Sequence, residues 1–192
     1  MLIVVRHGRT PANAAGLLQG RSDYQLDEVG REQAERLAHA VGRVDRLIAS
    51  PLPRAIETAE AFGQPIEIDD RWREIDYGAL EGRPVADVPD AYWRGWTHDP
   101  DFAPEGSESH RDLHQRVIEA AAELLVEART SDLCVVTHVS PIKAVIGWIM
   151  DKPHVGGSWC RVDHASISRV GHGRFGHPIM LSFNETGHLT TR

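Results

Sequence analysis

The chain opens on LIVVRHGRT, in which a short apolar run ends on Arg6, His7 and Gly8. The same grammar recurs twice: an apolar run, then polar residues, then the start of a helix or loop. It is seen in LIASPLPR at 47–54 and in CVVTHVSP at 134–141. In α/β proteins the ends of strands beside loops hold ligands, and parallel strands bring their C-terminal ends to one edge. Arg6, His7, Arg54 and His138 can therefore converge although they lie far apart in sequence. Two guanidiniums offer paired hydrogen bonds that match a tetrahedral phosphoryl group. The chemistry these residues point to is that of phosphate.

Positioning them requires a framework, and the periodicity supplies one. Residues 2–5, 46–50 and 65–68 read as strands, as does DLCVVTH at 132–138. Helices are expected at 30–41, from the prolines near 51–53 to Gly63, across about 108–129, and in PIKAVIGWIM at 141–150. ASISRV and PIMLSFNETGHL read as two further strands around a Gly/His-rich turn. Strands alternating with helices imply the α/β class, as a three-layer α/β/α sandwich with a mostly parallel central sheet. The stretch 75–106 is rich in Gly and Pro, and it also carries Trp93 and Trp96. It reads as an irregular cap over the site, with a short helix near 90–97. The length of 192 residues suits a single domain across 1–192.

Bulk properties narrow the partners. A formal net charge of −7 argues against general binding to nucleic acid or to anionic membranes, both of which favour a basic face. No segment approaches the roughly 18 apolar residues that span a bilayer. MLIVV is too short for a signal peptide and lacks a basic start. The two cysteines, Cys134 and Cys160, make no disulfide framework, and a cytoplasmic protein is expected.

Five stretches in order resemble the histidine phosphatase superfamily, also called phosphoglycerate mutase-like. RHGRT matches its opening motif and NAAGLLQGRSDYQLDEVGREQA its next run. ASPLPRAIETA matches the second-arginine motif, RWREIDYGALEG the glutamate motif and VVTHVSPIKA the second-histidine motif. The THVSPIK variant is most similar to the acid phosphatase and α-ribazole phosphatase branch. The resemblance implies a metal-independent phosphomonoesterase that acts on a small phosphorylated metabolite and needs no cofactor. His7 would be the nucleophile, giving a phosphohistidine and splitting one displacement into two easier steps. Arg6, Arg54 and His138 would hold the phosphoryl oxygens, with Asn13 as a further phosphate contact. Gln19 and Gly20 lie where the family makes substrate contacts, and Glu74 matches its proton donor, with Asp76 and Glu81 as close rivals.

Three departures bear on specificity. Arg9 stands where Glu or Gln is common and would add a cation at the mouth. Val139 follows His138 where a small residue is usual, its N–H still able to donate to phosphate. PEGSES at 104–109 replaces the usual Gly-Gly-Glu-Ser segment. The cap aromatics Tyr92, Trp93 and Trp96 are expected to select the leaving group.

Other readings make distinct demands. A phosphoglycerate mutase would need extra basic residues for the other anionic end of its substrate, and few candidates are present. A binding-only protein would be expected to lack His7 or a pocket arginine, and all are present. His110 and His114, spaced i, i+4, lack the glutamate of a zinc HExxH motif, and two solvated histidines fit better. His154, His164, His172, His177 and His188 are expected in surface or structural roles. The oligomeric state is not legible.

Overall fold

The computed structural model describes residues 1–104, 106–152 and 160–190. Glu105 of PEGSES and His154 fall outside them. Strand β1 (Leu2–Arg6) is buried on both faces, which explains its unbroken apolar sequence. Side chains alternate across a strand. Leu2 and Val4 therefore pack with residues of α5 (His110–Glu127) and α6 (Val139–Ile149), while Ile3 and Val5 pack with those of α2 (Glu28–Val41) and α3 (Pro53–Glu60). The same division holds in β4 (Leu133–Thr137) and β2 (Arg46–Ala49), giving two helical layers around one sheet.

The sheet order is β3-β2-β4-β1-β5-β6, with β3 at Ile66–Ile68, β5 at Ile167–His172 and β6 at Pro178–Glu185. β3, β2, β4 and β1 run parallel, whereas β5 is antiparallel to both β1 and β6. Register aligns the ends that matter: Arg6 lies opposite Thr137, and Ala49 opposite Val136. Residues following β1, β2 and β4 consequently emerge side by side.

Local chemistry sets the helix boundaries. Asp27 caps α2 by accepting from the Gly30 N–H, Ser109 caps α5 by accepting from the Asp112 N–H, and Pro53 opens α3. α6 begins at Val139, two residues before the Pro141 start expected from sequence, because proline is tolerated within the first turn. A short helix not foreseen, α1 (Pro11–Ala14), is closed by reciprocal Thr10–Asn13 hydrogen bonds.

The cap holds two 3₁₀ turns, Gly78–Leu80 and Val85–Asp87, and the helix α4 (Asp90–His98). It has its own apolar centre of Leu18, Leu80, Val88 and Trp96, against which Tyr92, Trp93 and Phe102 pack. No helix among the described residues is long and apolar enough to cross a membrane.

Candidate active site

The His7 N–H donates to the Thr137 carbonyl (2.9 Å), which extends the β1–β4 ladder and fixes where the imidazole starts. The ring is 3% exposed. Its Nδ1 lies 2.7 Å from the Gly8 carbonyl. Arg54 Nε is shared between His7 Nε2 (3.3 Å) and His138 Nδ1 (3.2 Å). A guanidinium only donates, so both facing nitrogens must be acceptors. Each ring then carries its proton on the other nitrogen. His7 Nδ1–H donates to Gly8, and His138 Nε2–H donates to Ser50 Oγ at 2.8 Å. His7 is thus neutral with an unprotonated Nε2.

Electrostatics reinforce this state. Burial, then the charges of Arg54 and Arg6, hold His7 well below its ordinary value of 6.5. Burial, Arg54 and His7 do the same to His138. Burial lowers Arg6 and Arg54 to about 10, with Glu74 opposing the shift, so both remain cationic at neutral pH.

Arg54 is anchored by the loop after Gln19. Its Nη2 donates to the Gly20 carbonyl (2.6 Å) and its Nη1 to the Ser22 carbonyl (3.0 Å). Glu81 holds that loop by accepting from the Arg21 and Ser22 N–H groups (2.7 and 2.8 Å). Asp76 accepts from the Gly78 N–H and pairs with Arg21. Both rivals of Glu74 are therefore committed elsewhere. Glu74 is the one carboxylate among the described residues lining a cavity of about 290 Å³, which Arg6 and His7 also line. Its oxygens accept from the N–H groups of Ile75 (2.9 Å), Val139 (3.1 Å) and Ser140 (3.1 Å), the last two at the N-terminus of α6.

Asn13 and Gln19 line the same cavity. Thr10 occupies both carboxamide oxygens: its N–H donates to Asn13 Oδ1 (3.2 Å) and its hydroxyl to Gln19 Oε1 (2.9 Å). Their amide nitrogens have no partner among the described residues, and both are donors suited to an anion.

Several expectations need correction. Gly20 does not line the cavity. A Cβ there would lie 2.0 Å from Glu81 Oε1 and 2.8 Å from the Ile75 carbonyl, so glycine is required for packing behind Arg54. The Val139 N–H, expected to face phosphate, donates to Glu74, although the residue itself lines the cavity. Arg54 and His138, at 1% and 0% exposure, do not line the cavity. Arg9 is tied to Asp27 at 2.8 Å and does not line the cavity. Tyr92, Trp93 and Trp96 belong to the cap's own centre and do not line the cavity; Leu17 and Val85 line it, as do Leu18 and Tyr77, which also pack in that centre. His110 Nδ1 donates to the Trp96 carbonyl and His114 is buried, and the described residues hold no group of three metal-ligating side chains.

Four contributors were missed. Ser50 orients His138. Thr58 Oγ1 accepts from the Gly8 N–H (3.0 Å) and donates to the Arg54 carbonyl (2.7 Å). Thr10 organises the two carboxamides. His164, assigned to the surface or structure from its spacing, lines the cavity with its ring centroid 6.4 Å from His7. Its signal lay in topology: β5 runs antiparallel, so residues preceding it reach the edge that residues following β1 reach. The Ala165 N–H accordingly donates to the His7 carbonyl (3.1 Å). Burial, then Arg6, pushes His164 down to about 3.

A family model for the histidine phosphatase superfamily (branch 1) matches residues 2–186. The chain belongs to that superfamily. It is 32% identical to phosphoserine phosphatase 1 of Hydrogenobacter thermophilus, over 98% of this chain and 93% of that protein. It is 30% identical to a bifunctional protein of Mycobacterium tuberculosis over 98% of its own residues, yet spans only 54%, about half, of that relative's length. The fold matches the phosphoserine phosphatase of Entamoeba histolytica in complex with 3-phosphoglyceric acid, with a TM-score of 0.89, 27% identity and 98% coverage of each chain.

Proposed function

We propose that this histidine phosphatase hydrolyses small phosphate monoesters through a phosphohistidine at His7, without a metal ion. The observation that carries the reading is the state of His7. It is neutral, with Nδ1–H tied to the Gly8 carbonyl, and it lines the same cavity as Glu74. The lone pair of Nε2 attacks phosphorus as the bond from phosphorus to the alcohol oxygen breaks. Glu74, in its acid form, gives its proton to that departing oxygen. In the second step Glu74 takes a proton from water, whose oxygen attacks phosphorus and releases His7 Nε2 and inorganic phosphate. Atoms and protons balance over the cycle.

Charge on the transferring group spreads over three oxygens, so the protein contributes mainly positioning and countercharge. Arg6 and Arg54 supply the charge, and the free amides of Asn13 and Gln19 supply neutral donors. His7 and His138, held neutral by burial and then by the arginines, keep the nucleophile available.

Phosphate release from a panel of monoesters, measured for wild type and His7→Ala, tests the reading. Release by wild type, abolished in the variant and unchanged by EDTA, is the expected outcome. Conversion of 3-phosphoglycerate to 2-phosphoglycerate without phosphate release would replace hydrolysis with a mutase. Silence in both assays would leave a protein that only binds phosphorylated ligands.

A further inference from the structure

His164 lines the cavity, and neither chemical step needs a proton from it. The segment that carries it is fastened directly to the phosphate clamp. Arg6 Nη1 donates to the Val162 carbonyl (2.7 Å), the Arg6 N–H to the Ser166 carbonyl (3.2 Å), and the Ala165 N–H to the His7 carbonyl (3.1 Å). Asp163 is bound twice by Asn184, whose Oδ1 accepts from its N–H (2.7 Å) and whose Nδ2 donates to its carboxylate (2.9 Å). Ala165 has a φ of 51°, in the left-handed region that a residue with a Cβ rarely adopts, and His188 Nε2–H donates to its carbonyl (3.0 Å). A backbone held at a cost in one conformation, by partners on both sides, fixes where the His164 ring enters the cavity.

The ring itself shares the condition of the clamp. Arg6 Nε, Gln19 Nε2 and His164 Nε2 are buried nitrogens without a hydrogen-bond partner among the described residues, and all three residues line the cavity. A buried polar nitrogen is costly until something pairs with it. In the proposed reaction Arg6 and Gln19 meet that need through the phosphoryl oxygens. The His164 centroid lies 6.4 Å from that of His7, with the rings inclined at 60°. At that separation an oxygen on a phosphorus about 3–3.5 Å from His7 Nε2 can reach the His164 ring within a hydrogen bond. Burial and then the Arg6 charge push His164 down to about 3, so it is neutral at neutral pH and donates from one nitrogen. Such a donor adds a hydrogen bond to the phosphoryl group without repelling Arg6.

We infer that His164 is a further substrate-binding residue, which hydrogen-bonds an oxygen of the transferring phosphoryl group beside Arg6. This inference rests on the phosphatase reading and adds a residue to its site. The contact is to the group that every substrate shares, and not to the alcohol.

Calorimetric titration with inorganic phosphate compares wild type, His164→Leu and His164→Asn, and kcat/KM is measured for each on glycerol 3-phosphate and para-nitrophenyl phosphate. Leucine occupies the space of the ring without a donor, whereas asparagine returns an N–H. His164→Leu is expected to weaken phosphate binding about tenfold or more, the scale of one hydrogen bond to a charged group, and to lower kcat/KM at least as much on both esters. His164→Asn should recover most of both losses, which a shorter polar side chain would not do if the ring served only to fill space. His164→Ala repeats the test should the leucine variant fold poorly. Unchanged phosphate affinity without the ring overturns the inference, as does a loss confined to one ester, which would place the ring against the alcohol. If wild type hydrolyses neither ester, the phosphatase reading falls, and the phosphate affinities of the variants still decide the inference.

Discussion

One guanidinium sets the protonation of the site. By donating from Nε to two imidazoles, Arg54 fixes both tautomers, and by donating to the Gly20 and Ser22 carbonyls it holds its own plane. Arg54→Lys keeps the charge but cannot reproduce this fork. It is expected to lower kcat about 100-fold, the scale for losing one preorganised donor to developing charge. Glu74→Gln should act selectively. An alkyl phosphate, whose alkoxide leaves poorly, is expected to lose about 100-fold or more in kcat. Para-nitrophenyl phosphate, whose leaving group needs no proton, should lose far less; equal losses on both would remove Glu74 from the acid role. Arg6, His7, Arg54 and His138 were legible because each follows an apolar strand. Ser50 and Thr58 were not, since a buried serine or threonine has no sequence mark until its partner is known. The packing role of Gly20 was hidden for the same reason: its motif position speaks for the site, but the absence of room for a Cβ is visible only in three dimensions.

At the scale of elements, the loop that carries Gly8 and Arg9 is clamped between β1 and the start of α2. A Cβ on Gly30 would lie 2.0 Å from the Arg9 carbonyl, and one on Gly8 would lie 2.3 Å from the Gly30 carbonyl. Helix propensity alone favours alanine over glycine at Gly30 by about 1 kcal/mol. Contact with rigid backbone outweighs that preference, since forcing extra atoms into such a site costs about 1–3 kcal/mol. Gly30→Ala is therefore expected to lower stability in urea and to reduce kcat by displacing Gly8 beside His7. A stabilised, fully active variant would show that the approach is not tight. The helices and parallel strands were readable because their apolar periods are strong. The direction of β5 was not, because an isolated strand carries no mark of its orientation, and with that direction went the role of His164. α1 escaped notice because four residues are too few to show a period.

Across the whole molecule, burying neutral histidines links stability to pH. His7, His138 and His164 all bind protons less readily in the folded chain than in the unfolded one, whose histidines titrate near 6.5. A lowered folded value means that the unfolded state takes up more protons below pH 6.5, so stability is full above that pH and falls on acidification. For His164 the window runs from 6.5 to about 3. Each such histidine contributes up to about 1.4 kcal/mol per pH unit within its window. Urea midpoints at pH 7 and pH 5 should therefore differ in wild type, and His164→Asn should shrink the difference. An unchanged slope in that variant would mean that His164 is protonated and solvated in the folded state.

The central claim is that the phosphoryl group stops on His7 before water takes it, and the stereochemical course at phosphorus tests this most directly. A monoester made chiral at phosphorus with sulfur and oxygen isotopes is hydrolysed, and the configuration of the released thiophosphate is read. Two in-line displacements predict net retention. Net inversion would mean a single direct attack by water and would contradict the phosphohistidine route.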